Sequence, residues 1–398
     1  MSVIINVFSK RADPVATSDS LYAGKEQSQV KHEILRHYLE RFAQIIFSKW
    51  ESITYIDGFS GPWNSVSSDL RDSSFSIAVH QLRMAKASNR QRGKSVRARC
   101  FFVEQDTKAF ATLDEFSKRQ SDIDVQCRNS SFEDAIPEIL SFLRADPGTF
   151  AFTLIDPTGW TGFALDRIRP LLTTVPGEVL VNFMTSHITR YIDVPAVRTQ
   201  LIDMFGSAIP LAKIGALRGL DRTDACVEEY CEALKATGSF AFVCPAMVLQ
   251  PTRDRPHFHL IYATRKPQGL TVFKDAERKA MGFMEQARAA ASQRQKSTAG
   301  QRQLFDAKEM PPSQYYFDLR NRYLNRSKHS VQVQLQAEER MSYDEAWSLS
   351  LVRPLVWESD LKDWISTWQR EGVVTIDGLK PRERVCKRGK GHFLVWKR

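Results

Sequence analysis

The sequence predicts an α/β protein: a doubly wound, largely parallel sheet of the Rossmann type, followed by a smaller C-terminal unit of helices and a hairpin. Short apolar runs alternate with amphipathic stretches from about residue 25 to residue 185, the βαβ rhythm that builds a parallel sheet. The first run ends in an acid and a small-residue turn, Tyr55-Ile56-Asp57-Gly58-Phe59-Ser60-Gly61-Pro62. Glycines at such a turn let backbone come close to a ligand. After Pro311-Pro312 the pattern changes to helices and then a hairpin.

The elements follow in order. Residues 25–50 carry Ile34, Leu35, Tyr38, Leu39, Phe42, Ile45, Ile46 and Trp50 on one stripe and read as a long helix. Strands are expected at 52–57, 98–104, 124–127, 150–156 and 178–184. Helices are expected between them at 73–90, 107–119, 133–144 and 164–172. Two more runs, 239–248 and 257–264, flank a proline-containing connection, as a final antiparallel pair would. A helix over 271–290 precedes a Ser-, Gln-, Arg- and Lys-rich stretch that reads as a linker. Beyond it lie a helix at 343–351, a second at 360–370 with Ser359 as its cap, and strands at 373–376 and 392–397. Helices followed by a hairpin make a winged-helix-like unit. The expected division is 1–285 for the sheet domain, 286–313 for the linker and 314–398 for the basic C-terminal domain.

Composition narrows the class. The chain has 398 residues, 42% hydrophobic and 26% charged, the balance of a water-soluble globular protein. No apolar run approaches membrane-spanning length. The opening residues lack a charged lead and a small-residue cleavage site, so a cytoplasmic location is expected. A net charge of +10 favours an acidic partner, most commonly nucleic acid. The six cysteines make no CxxC pair, which suits a reducing compartment and no structural zinc.

The strand ends carry the chemistry. Asp57, Gly58, Phe59 and Gly61 follow the first strand, Glu104 closes the second, Ser130 follows the third, and Asp156-Pro157 follows the fourth. In a Rossmann-like methyltransferase these places have distinct jobs. The first loop admits the methionine part of S-adenosylmethionine, and the second-strand acid takes both ribose hydroxyls. The third-strand polar residue meets adenine, and the fourth-strand motif faces the methyl acceptor. Asp57 and Glu104 lie 47 residues apart, wider than the compact dinucleotide fingerprint. An extended loop at 63–72 would account for the excess.

Leu154-Ile155-Asp156-Pro157-Thr158-Gly159-Trp160 resembles the Asp-Pro-Pro-Tyr motif of methyltransferases that modify amino groups of nucleic-acid bases. There the acid accepts a hydrogen bond from the exocyclic amine and the aromatic stacks on the base. Phe183 is a base-pocket or core residue. Lys31 and His32, at the start of the first helix, either reach the cofactor edge or lie on a solvated face, the latter being the expectation. His257 and His259 point the same way from one strand, without further metal ligands at suitable spacing, so no metal site is expected. Lys380, Arg382, Arg384, Lys387, Arg388 and Lys390, with Phe393 and Trp396 nearby, suit a phosphate backbone.

Together, Lys31-His32-Glu33-Ile34-Leu35, the 55–62 turn, Phe102-Val103-Glu104, the 154–160 motif and His259–Thr264 leading to Lys274-Asp275 resemble the three-Cys-motif partner protein (TcmP) family. The resemblance spans roughly residues 20–398. It implies a class I methyltransferase-like core and a partner protein bearing a three-cysteine motif, of the radical iron–sulfur type. The expected activity is S-adenosylmethionine-dependent methyl transfer to nucleic acid at a base amino group. In that reading Asp156, Pro157 and Trp160 position the acceptor, and Asp57, Gly58, Phe59, Gly61, Glu104 and Ser130 bind the cofactor. The alternative is a non-catalytic nucleic-acid-binding partner of the three-cysteine protein.

Overall fold

The computed structural model describes residues 22, 24–62, 65, 67, 69–174, 176–298 and 311–397. The loop expected at 63–72 and the linker therefore lie partly outside the described residues. A first helix, α1 (Glu26–Lys49), leads into β1 (Ser52–Asp57). Then come α2 (Ser74–Gln91), β2 (Arg97–Glu104), α3 (Thr107–Lys118), β3 (Asp124–Asn129), α4 (Phe132–Arg144), β4 (Thr149–Ile155), α5 (Leu165–Thr174) and β5 (Gly177–Phe183). Four helices follow before the next strand: α6 (Thr185–Tyr191), α7 (Arg198–Phe205), α8 (Ile209–Gly215) and α9 (Gly219–Gly238). Strands β6 (Phe242–Leu249) and β7 (Pro256–Thr264) complete the sheet.

The sheet order is β3-β2-β1-β4-β5-β7-β6. β1 pairs in parallel with both β2 and β4, whereas β7 runs antiparallel between β5 and β6. Burial on both faces explains why the strands other than the edge strand β3 are largely apolar runs rather than alternating ones. Within β1, Tyr55 packs on the side of α1 and α2, and its neighbour Ile56 on the side of α4 and α5. The chain direction reverses its progress across the sheet between β1 and β4, so a crevice opens outside their C-terminal ends.

Helix α10 (Pro267–Thr298) runs on through the first part of the stretch read as a linker. Beyond it are α11 (Gln314–Glu338), β8 (Arg340–Ser342), α12 (Tyr343–Ser350), α13 (Glu358–Arg370), β9 (Val374–Asp377) and β10 (Phe393–Trp396). The three strands form an antiparallel sheet ordered β8-β10-β9. Neither α11 nor β8 was expected. Ser359 is not the cap of α13: the Trp357 N–H donates to Asp360 Oδ2 at 2.8 Å, placing the helix start two residues earlier.

The C-terminal unit is bolted to the sheet domain. The Trp347 ring meets Phe242 edge-on. Buried Lys274 pairs with Glu277 at 2.6 Å and donates to the Arg353 carbonyl, while the Leu355 N–H donates to Glu277 Oε1 at 2.9 Å. On α9, Asp224 accepts from the Tyr323 hydroxyl at 2.7 Å and from Arg322 at 2.6 Å.

Candidate active site

Asp57 is fully buried at the end of β1. Its carboxyl accepts from Ser74 Oγ at 2.6 Å and from the Phe59 N–H at 3.1 Å. Burial pushes its pKa up to about 6, partly offset by the Ser74 hydrogen bond. This acid therefore folds the loop onto itself. Gly58 is required for packing: a Cβ there would stand 2.6 Å from the Phe132 ring. Its absence of a side chain makes room for Phe132, which also contacts Phe59.

A cavity of about 350 Å³ lies outside the β1–β4 switch point. Phe59, Gly61 and Pro62 line it from the first loop, Asp156, Pro157 and Thr158 from the end of β4, and Asn182 and Met184 from the end of β5. His257 and the start of α1 close it. Thus the loop after Asp57 and Asp156 are brought to one site, although Asp57 and Gly58 themselves do not line it.

The first helix corrects the sequence reading. Lys31 does not sit on a solvated face; it forms an ion pair with Asp156 Oδ2 inside the cavity. His32 is buried and meets the Tyr22 hydroxyl at 2.9 Å through Nδ1. Burial, and then the charge of Lys31, hold its pKa well below the usual histidine range, so it is neutral. Asn182 Nδ2 donates to Asp156 Oδ1 at 2.7 Å. Lys31 and Asn182 together fix the Asp156 carboxylate from two sides. No motif flagged Asn182; its position at the C-terminal end of β5, beside β4, was the available signal.

Other expected residues lie elsewhere. Trp160 does not line this cavity. Its ring lies 5.3 Å from that of Tyr191, and Nε1 donates to Gln200 at 3.0 Å, beside a separate cleft. Phe183 is core, stacked on Tyr230 at 4.4 Å. Glu104 is 4% exposed and accepts the Asp106 N–H at 2.6 Å. Ser130 donates to the Ser131 carbonyl. Neither Glu104 nor Ser130 lines the cavity. The cavity residues, with their hydroxyls, Lys31 and a carboxylate, fit the polar methionine half of S-adenosylmethionine; Glu104 and Ser130, expected at its ribose and adenine, do not reach the cavity. His259 is buried against Thr185 at 2.7 Å, and burial lowers its pKa to about 3.

The basic positions 380–390 form the connection between β9 and β10. Arg388 stands over Trp347 and lines a second cavity of about 390 Å³ with Lys49, Trp50, Phe150 and Glu178. Those residues mark the opposite edge of the sheet, where β4 and β5 begin. Buried Glu178 there accepts from Thr264 at 2.9 Å and from Tyr38.

The seven-stranded order with one antiparallel strand, and a polar cavity at the switch point, define a Rossmann-like fold of the class I methyltransferase type. No family model matches the chain, and no curated protein matches it. Among solved structures, a Legionella pneumophila protein, described by the family model DUF519, aligns with 64% of this chain and 92% of its own. Its identity is 10% and its TM-score 0.38. A loganic acid methyltransferase with SAH aligns with 71% of this chain and 92% of its own, at 8% identity and a TM-score of 0.31. Among the described residues, no helix is long and apolar enough to cross a membrane.

Proposed function

We propose that the protein is an S-adenosylmethionine-dependent methyltransferase acting on nucleic acid, at an amino group of a base. The observation that carries the reading is the shared cavity: the β1 loop and an Asp156 fixed by Lys31 and Asn182 line the same space at the switch point. The cofactor supplies an activated methyl group on sulfur. Asp57, through Ser74 and the Phe59 N–H, shapes the loop that would hold its methionine part. Lys31 and Asn182 hold Asp156 in one rotamer. Each carboxylate oxygen keeps a further lone pair and can accept an amine N–H. That hydrogen bond would orient the nitrogen lone pair toward the methyl; forming the N–C bond would break the S–C bond, sulfur leaving as a neutral thioether and the amine proton passing by way of Asp156 to water.

The C-terminal unit supports a nucleic-acid partner. We read it as a winged helix: the helix–strand–helix–helix–strand–strand succession and the β8-β10-β9 order support that reading, and Lys380 to Lys390, in the connection between β9 and β10, would be its wing.

A second reading is favoured by Phe132 over Gly58 and by the burial of Glu104. In it the cofactor pocket is closed, and the protein presents nucleic acid to a three-cysteine-motif partner, as its resemblance to the TcmP family implies. Calorimetry with S-adenosylmethionine separates the two. The expected result is binding by the wild type, with Asp156→Ala retaining binding but losing at least 100-fold in methyl transfer. No binding at millimolar cofactor selects the second reading.

A further inference from the structure

The wing cannot be what holds the nucleotides next to the acceptor cavity. Arg388 lies at the starting edge of β4 and β5, and Asp156 lies beyond the finishing edge of β4. A strand of 7 residues separates them, roughly 20 Å at the usual rise. A different basic surface adjoins the cavity. A cleft of about 520 Å³ is lined by Ser186, Arg190, Arg218, Arg255 and Tyr315, among others. The cleft and the cavity are continuous along the chain at two places: Met184 lines the cavity and Thr185 the cleft, and His257 lines the cavity and Pro256 the cleft.

Of its arginines, Arg222 is paired with Asp193 at 2.9 Å, and the others keep an excess of positive charge. Arg190 and Arg255 are exposed, and neither makes an ion pair among the described residues. Arg218 spends its guanidinium on the Gly215 and Leu217 carbonyls, which leaves its charge unneutralised. The cleft's acid, Asp254, is already paired with Arg288 at 2.6 Å. The first turn of α9, a 20-residue helix, opens on this cleft with no side-chain cap, so its N–H groups and positive end add to the attraction for an anion. Tyr315 is half-buried in the wall, and a base stacks readily on such a ring.

We propose that this cleft holds the phosphates flanking the nucleotide whose base enters the acceptor cavity. The strand would run from the α9 end, over Arg190 and Arg255, to the cavity mouth at His257. The inference rests on the nucleic-acid reading of the site and adds where the polynucleotide lies. The wing is then a distal contact.

The test uses full-length protein and fluorescein-labelled single-stranded RNA and DNA 20-mers, titrated across a range of KCl concentrations. Arg190→Gln/Arg255→Gln is compared with Lys387→Gln/Arg388→Gln/Lys390→Gln and with wild type. Melting temperature and cofactor calorimetry are run on each to verify folding. The expected result is at least a tenfold loss of affinity in the cleft variant. Its log affinity against log salt slope should be shallower by about 1.4, two phosphates at roughly 0.7 each. RNA carrying 4-thiouridine should crosslink to the peptide containing Tyr315. An unchanged affinity and slope in the cleft variant, with loss in the wing variant, overturns the proposal. Failure of wild type to bind either polymer at low salt sinks the nucleic-acid reading itself, whatever the cofactor result.

Discussion

Asp57 shows how much a single buried carboxyl decides. Desolvation raises its pKa from the ordinary 3.8 to about 6, against the pull of Ser74 and the Phe59 N–H. The native state therefore holds a proton between roughly pH 4 and 6 that the unfolded chain has released. Stability falls as pH rises through that window and is flat above it, by about 3 kcal/mol for a shift of this size. Asp57→Asn, which keeps a hydrogen-bonding group of the same shape, is expected to remove that slope from urea denaturation midpoints measured between pH 4 and 7. Parallel wild-type and variant curves would refute a proton-holding Asp57. The sequence showed Asp57 at the turn but not its role, because burial is a tertiary quantity. Lys31 was misjudged for the same reason. A lysine among Glu33 and Arg36 reads as solvated until β4 delivers Asp156 beside it. Trp160 was overread: the motif gave its distance along the chain, while the bend at Gly159 and Gly162 sends it toward Tyr191.

At the scale of elements, the strands and the helices between them were legible, because burial on both faces writes apolar runs and amphipathic stripes directly into the chain. Residues 185–238 were not. Pro195, Gly206, Pro210, Gly215 and Gly219 cut that stretch into pieces mostly too short for periodicity to register. Helix α11 escaped because its buried stripe, Tyr316, Leu319, Tyr323, Val331 and Leu335, is interrupted by a buried Ser327 that bonds the Ser350 carbonyl. The start of α13 lies two residues before the expected one, and its chemistry differs. Asp360 accepts the Trp357 N–H and also pairs with Arg320 at 2.7 Å, whose guanidinium lies 4.0 Å over the Trp357 ring. Asp360→Ala should destabilise the protein by about 1–2 kcal/mol, and Asp360→Asn by less, since an amide oxygen still takes the N–H. Equal losses in chemical denaturation would show that the Arg320 charge pair, not the cap, is what matters.

For the whole molecule, the boundary drawn at 286–313 separates sequence styles more than it separates cores. Trp347 and Leu335 belong to the same buried cluster as Tyr262 and Phe273. Five of the eight tryptophans lie after residue 340, so intrinsic fluorescence reports mainly the C-terminal unit, while circular dichroism weights all the helices. The two signals should trace one transition. Glu277→Ala strands the Lys274 charge in the shared interior and should lower stability by about 3–5 kcal/mol, moving both signals together. Two separated transitions in the wild type would mean that the units unfold independently. Helix α1 ties these parts in another way. Its first turns bear Lys31 at the Asp156 cavity, and its last bear Lys49 at the pocket shared with Arg388. Twenty-four residues make a rod of about 36 Å. One rod thus puts a single rigid body in the walls of both cavities, so neither wall can be repositioned along the helix axis without carrying the other with it.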